Sequence, residues 1–159
     1  MVAYVFQPQF KRPIEAHDKV LTFRRIGGKV HAAPGGRVAL DLPQGRRRPL
    51  VRFSALCELR ASVVIDATGV RRVITAASFN EYGAGLERLL RACEQAMPQA
   101  AEHLPRLAAL DGFSSWADLW AWQLANRAPE EPTDSLKRVL IGWNPATLRP
   151  GAASQDDGR

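Results

Sequence analysis

Residues 48–66 read RPLVRFSALCELRASVVID, residues 67–69 read ATG, and residues 72–77 read RVITAA. Valine, leucine and isoleucine alternate here with polar residues, as they do along a strand whose successive side chains point to opposite faces. The ATG step between the two runs carries turn chemistry. Working backwards, RVALDL at 37–42 repeats the pattern, and PQGRRRP at 43–49 leads into the long run with proline, glycine and charge. Strand patterns joined by such short turns predict an antiparallel meander in the middle of the chain.

Outward from that centre, VAYVFQ at 2–7 alternates like another strand, and PQFKRPIEAHD at 8–18 spaces Phe10 and Ile14 four apart, as one stripe of a short helix would. HDKVLTFRR at 17–25 follows, with Leu21 and Phe23 on one face of a strand and Thr22 and Arg24 on the other. The stretch RIGGKVHAAPGG at 25–36 reads as a loop. On the far side of the meander, Leu86, Leu89, Leu90, Cys93 and Met97 share a helical face, Glu87 and Arg91 are placed as an i,i+4 ion pair, and Pro98 ends the helix. PRLAAL at 105–110 predicts a second, shorter helix with Pro105 at its first position. A third helix is predicted with Ser115 as N-cap, Asp118 three residues on, and Trp116, Leu119, Trp120 and Leu124 buried. LKRVLIGW at 136–143 predicts a closing strand that pairs back to the first ones. The domain is therefore expected to span residues 1–143 and residues 144–159 to form a flexible tail. The expected class is α+β, a small, partly closed β-barrel flanked by helices.

With 159 residues, 46% of them hydrophobic, the chain suits one domain with its own core. No run approaches 18 apolar residues and no leader pattern opens the chain, so a soluble, cytoplasmic protein with no membrane partner is expected. Cys57 and Cys93 stand 36 positions apart, and His17, His31 and His103 offer no ligand spacing; neither disulfide, metal nor cofactor is expected. Charge is uneven. Residues 1–60 hold 12 lysines and arginines against 4 acidic residues, a net +8, whereas the remainder holds 10 against 12, a net −2. Arg24, Arg25, Lys29, Arg46, Arg47, Arg48 and Arg52 are candidates for a track that meets phosphates; the alternative is a solvated basic face.

In this order the pieces resemble the ASCH family of PUA-like β-barrel domains, most of all the small ASCH proteins of phages and prophages. The resemblance runs to Trp143 and rests on VFQPQF (5–10), KVLTFRR (19–25), APGGRVAL (33–40), LDGFSSWADLWAW (110–122) and VLIGW (139–143). One branch of that family hydrolyses N4-acetylcytidine and carries Lys-x-x-Thr-x-Arg after the first helix, with an acidic residue far downstream. Lys19, Thr22 and Arg24 match that signature, and Asp111 falls at the place of the acid. Two positions depart from it: the branch has the longer glutamate where Asp111 stands, and a glycine where His17 stands.

The resemblance thus implies a cleft that recognises a nucleoside, nucleotide or RNA, and an amidohydrolase acting on N4-acylated cytidine as one activity for it. Acyl transfer needs a nucleophile, a proton acceptor and a group that holds the acceptor, roles that Thr22, Lys19 and Asp111 can fill. Lys19 would serve either as a base, when desolvated beside Arg24 and Arg25, or as a charged stabiliser of the oxyanion. It reaches Thr22 only from the turn ahead of the strand. The alternatives are a module that binds RNA or a modified base without turnover, and a single-stranded RNA nuclease, for which the chain lacks an obvious histidine pair. In a purely structural reading, Lys19 and Asp111 are a surface ion pair, Thr22 is an ordinary β-branched strand residue, Arg24 and Arg25 are solvated, and Asp111 opens an Asp-Gly turn.

Overall fold

The computed structural model describes residues 1–27, 30–94 and 99–151; Lys29, Met97, Pro98 and residues 152–159 of the expected tail lie outside the described residues. The meander is present as β3 (Arg37–Leu42), β4 (Val51–Asp66) and β5 (Gly69–Ser78), antiparallel in succession. At 16 residues, β4 is the spine of the sheet. Its first part pairs with β3 and its second with β5, while its other edge pairs with β6 (Leu136–Pro150).

Ala55, Cys57, Leu59, Ala61, Val63 and Ile65 of β4 are all fully buried. The period of two does not bury them in one place, because the register against β6 shifts between Cys57 and Leu59. An extra residue turns the strand over. Ala55 and Cys57 therefore pack with Tyr4, Val38 and Trp143, whereas Leu59 to Ile65 pack with Leu86, Leu90 and Leu107.

β1 (Val2–Val5) pairs in parallel with β3, and β2 (Leu21–Arg25) pairs antiparallel with β6. The closing strand thus returns to β2 and not to β1. It also runs past Trp143 to Pro150, which corrects the expectation of a tail from residue 144: Phe53 and Ser54 of β4 pair with Pro150 and Arg149. Thr147 holds this part in register, its hydroxyl accepting from the Leu56 amide at 2.8 Å. Backbone pairing, which side-chain periodicity does not encode, decides that stretch.

The sheet is open, with β1 and β2 at opposite ends of the order β1-β3-β4-β6-β2. The Arg24 guanidinium of β2 nevertheless donates to the Val5 carbonyl of β1 at 2.9 Å. The sheet must curl until its two edges face each other across a seam.

A 3₁₀ turn (Pro8–Phe10) and α1 (Lys11–Glu15) bury Phe10 and Ile14, as their spacing predicts. α2 (Asn80–Cys93) begins well before Leu86, in a stretch where two glycines dilute the apolar pattern. A β-carbon on Gly83 would stand 2.1 Å from the Glu58 carbonyl oxygen, so only glycine lets the helix approach β4 this closely. α3 (Gln99–Leu110) carries Pro105 in its interior, not at its first position. The carbonyl that loses its donor belongs to Ala101, which is exposed, so water can replace the bond. α4 (Trp116–Ala125) starts as expected, the Ser115 hydroxyl accepting from the Asp118 amide at 3.1 Å. Trp116 and Leu119 are buried, and Trp120 and Leu124 pack partly buried against the same cluster. Among the described residues no helix is long and apolar enough to cross a membrane.

Candidate functional site

The seam holds a cleft of about 260 Å³ bordered by Lys19, Thr22, Arg24 and Asp111 together with aromatic rings. Lys19 reaches it from the turn between α1 and β2. His17 adopts φ 66°, a left-handed conformation that glycine enters without strain, and the amides of Asp18 and Lys19 both donate to the Pro13 carbonyl. The next amide, that of Val20, donates to the Leu110 carbonyl at 2.8 Å and ties this turn to the end of α3. Asp111 follows directly, and Gly112 at φ 88° closes the helix. Residues 92 positions apart in sequence thereby meet.

The Lys19 ammonium donates to the Asp111 carboxylate at 2.5 Å, to the Asp111 carbonyl at 2.7 Å and to the Leu21 carbonyl at 2.9 Å. With the amine charged and the carboxylate ionised, three acceptors use all three of its protons. Phe10 and Phe6 lie under the same ammonium, with ring centres at 4.7 and 5.3 Å. Burial pushes Lys19 below the usual lysine range, and the Asp111 carboxylate opposes that. Burial likewise pushes Asp111 up, opposed by Lys19 and then by Arg24. Each charge favours the ionised form of the other, against a burial that disfavours both.

Thr22 is not part of that exchange. Its hydroxyl oxygen accepts from Arg24 Nε at 3.1 Å, and its proton has no acceptor in the protein among the described residues. Arg24 also lies over the Phe6 ring at 4.5 Å. Of the three residues assigned to chemistry, two are directly bonded, and the third, Thr22, borders the same cavity and bonds to Arg24. No direct hydrogen bond joins Lys19 to Thr22 among the described residues, because the lysine is drawn to the end of α3.

The wider basic track fares differently. Arg25 borders both this cleft and a neighbouring groove of about 620 Å³. Arg46, Arg47 and Arg48 are exposed between β3 and β4, as the turn chemistry predicts, but border neither cavity. Arg52 is committed to Asp41, with bonds of 2.6 and 2.8 Å to its two oxygens. Lys29 lies outside the described residues.

Residues that sequence reasoning did not assign complete the cleft: Phe6, Phe10, Phe113 and Trp122 as its apolar wall, and Gln123 and Arg138 as buried polar groups. Phe10 meets Phe113 and Trp122 edge-on, with ring centres 5.7 and 5.6 Å apart. The only signal for them was the density of aromatics near either end of the chain, which a helix-packing reading explains equally well. Cys57 and Cys93 are buried free thiols, and among the described residues no three His, Cys, Asp or Glu side chains cluster to hold a metal ion. Compared with known proteins, the chain matches no family model, no curated protein and no solved structure.

Proposed function

We propose that this chain is an ASCH-type, PUA-like domain whose cleft recognises a nucleoside, nucleotide or RNA. The observation that carries the reading is the meeting of Lys19, Thr22, Arg24 and Asp111 around one small cleft with aromatic walls. Flat rings suit a planar heterocycle, and buried polar groups suit its edge. The cavity accommodates a group of base size, and the exposed Arg25 stands at its border for an attached phosphate.

The resting geometry favours recognition over turnover, because the ammonium of Lys19 has no lone pair with which to take a proton from Thr22. Hydrolysis of an N4-acylated cytidine is the second reading, favoured by the burial that draws Lys19 and Asp111 together towards their neutral forms. With the Lys19 proton passed to Asp111, the free amine takes the Thr22 proton through a bridging water as Oγ1 adds to the acyl carbon. The amide C–N bond then breaks, and its nitrogen leaves with that proton. Water cleaves the resulting ester, releasing the acid and restoring the threonine hydroxyl.

Calorimetry with cytidine, N4-acetylcytidine and a short single-stranded RNA at two salt concentrations, alongside an acetate-release assay, separates these outcomes. Saturable binding of a nucleoside that is insensitive to salt supports recognition in the cleft. Acetate release by the wild type that is lost in Thr22→Val supports hydrolysis. Binding of RNA alone, with a steep salt dependence, moves the site to the protein surface. No binding of any of the three refutes the reading.

A further inference from the structure

Gln123 lies on α4, is 7% exposed, and borders the cleft. Its amide has one possible orientation. Arg138, itself 1% exposed, donates from Nε to Gln123 Oε1 at 2.7 Å, and a guanidinium can only donate. The oxygen must therefore face Arg138. Arg138 is held in turn by Glu131, which accepts from Nη1 at 2.7 Å and from Nη2 at 3.3 Å, and by the Lys137 carbonyl at 2.7 Å. Turning the Gln123 amide over would set a donor against a donor in a buried place.

The Gln123 nitrogen donates one proton to the Phe23 carbonyl at 3.3 Å. Its other N–H has no acceptor in the protein among the described residues. Asp111 shows the complementary feature. Its Oδ1 accepts from Lys19, while Oδ2 has no protein partner. Among the described residues the only buried side-chain polar atoms without a partner are Nε of Arg37 and Nε of Arg127, so Asp111 Oδ2 is open to the cleft that Asp111 borders. Two residues that border the cavity thus each have a group without a protein partner, one N–H of Gln123 and one carboxylate oxygen of Asp111.

We propose that Gln123 is a specificity-determining residue, presenting a fixed N–H donor to a carbonyl oxygen or ring nitrogen of the ligand while Asp111 accepts an N–H from the same ligand. This rests on the reading of the cleft as a nucleoside site. A ligand edge with a donor and an acceptor is then selected over one with the order reversed, since the wrong order leaves buried polar groups unpaired. The Arg138–Glu131 pair acts through Gln123 as a positioning device.

The test is the ratio of dissociation constants for cytidine and uridine, whose ring positions 4 and 3 carry donor and acceptor in opposite order, measured by calorimetry on wild type, Gln123→Glu and Gln123→Met. In Gln123→Glu one oxygen still serves Arg138 while the other replaces the donor with an acceptor. The nucleoside preferred by the wild type should lose about tenfold in affinity, and the ratio should move towards the other. Gln123→Met, lacking both, should bring the ratio towards one. Melting curves identify any variant that fails to fold, and the ratio in the remaining variant then decides. Nucleoside binding with the same ratio in the folded variants overturns this inference alone; wild-type protein that binds neither nucleoside overturns the underlying reading and the inference with it.

Discussion

Lys19→Met is the most demanding perturbation of the site, because methionine keeps much of the side-chain length and removes only the charge and its three donors. Asp111 would be left with its side chain 3% exposed and no ammonium beside it, and the carbonyls of Leu21 and Asp111 would lose a partner. Breaking one side of a buried pair costs roughly 3–5 kcal/mol. That is a large part of the 5–15 kcal/mol by which domains are ordinarily stable. With a urea m-value of about 1–3 kcal/mol/M, the unfolding midpoint should fall by at least about 1 M at pH 7. The pH dependence carries the sharper sign. Burial raises the Asp111 pKa in the folded protein, and without Lys19 the main opposition to that rise is gone. A carboxyl whose folded pKa lies above its unfolded one binds more protons when folded, so its stabilising contribution is complete below the unfolded pKa, near 4, and is lost as pH rises through the folded pKa. The deficit of Lys19→Met should therefore shrink on acidification, and adding Asp111→Leu should recover most of it at pH 7. A deficit below about 1 kcal/mol, or one that does not change with pH, would show that the pair is no more than a solvent-screened ion pair.

Three further outcomes follow from the packing. Replacing Arg46, Arg47 and Arg48 together by alanine should leave the melting temperature and nucleoside affinity unchanged, since all three are exposed and none borders the cleft or its neighbouring groove; calorimetry showing weaker nucleoside binding would contradict the placement of the cleft. Gly83→Ala should cost about 1–3 kcal/mol in denaturant unfolding, because its β-carbon would press on the Glu58 carbonyl. Ser115→Ala should cost about 1 kcal/mol by the same measurement through loss of the α4 cap, with substitution by asparagine largely restoring it.

Part of the candidate site was legible because three of its residues sit close together in the chain, whereas Asp111, 92 positions from Lys19, was placed by the resemblance alone. Lys19, Thr22 and Arg24 occupy one turn and strand, and their spacing alone placed Thr22 and Arg24 on the face opposite Leu21. What spacing could not supply was the partner of each group. Lys19 bonds to Asp111 and not to Thr22, because the Val20 amide joins the end of α3 and brings the carboxylate to the lysine first. Gln123 and Arg138 stayed hidden for a related reason: one lies in a helix read for its tryptophans, the other in a strand read for its apolar residues.

The sequence by itself determined the α+β class, the central meander, the short helix carrying Phe10 and Ile14, and the cap at Ser115. Each depends on period, turn chemistry or a local hydrogen bond, quantities that neighbouring residues settle among themselves. Only the tertiary structure decided that β4 turns over between Cys57 and Leu59, that β6 continues to Pro150, and that Arg24 spans the seam from β2 to the Val5 carbonyl. The physical reason is common to all three. A bulge, a strand extension and a guanidinium bridge are fixed by which backbone groups lie opposite after the chain has folded, and an alternating pattern of side chains is silent about what stands across from it.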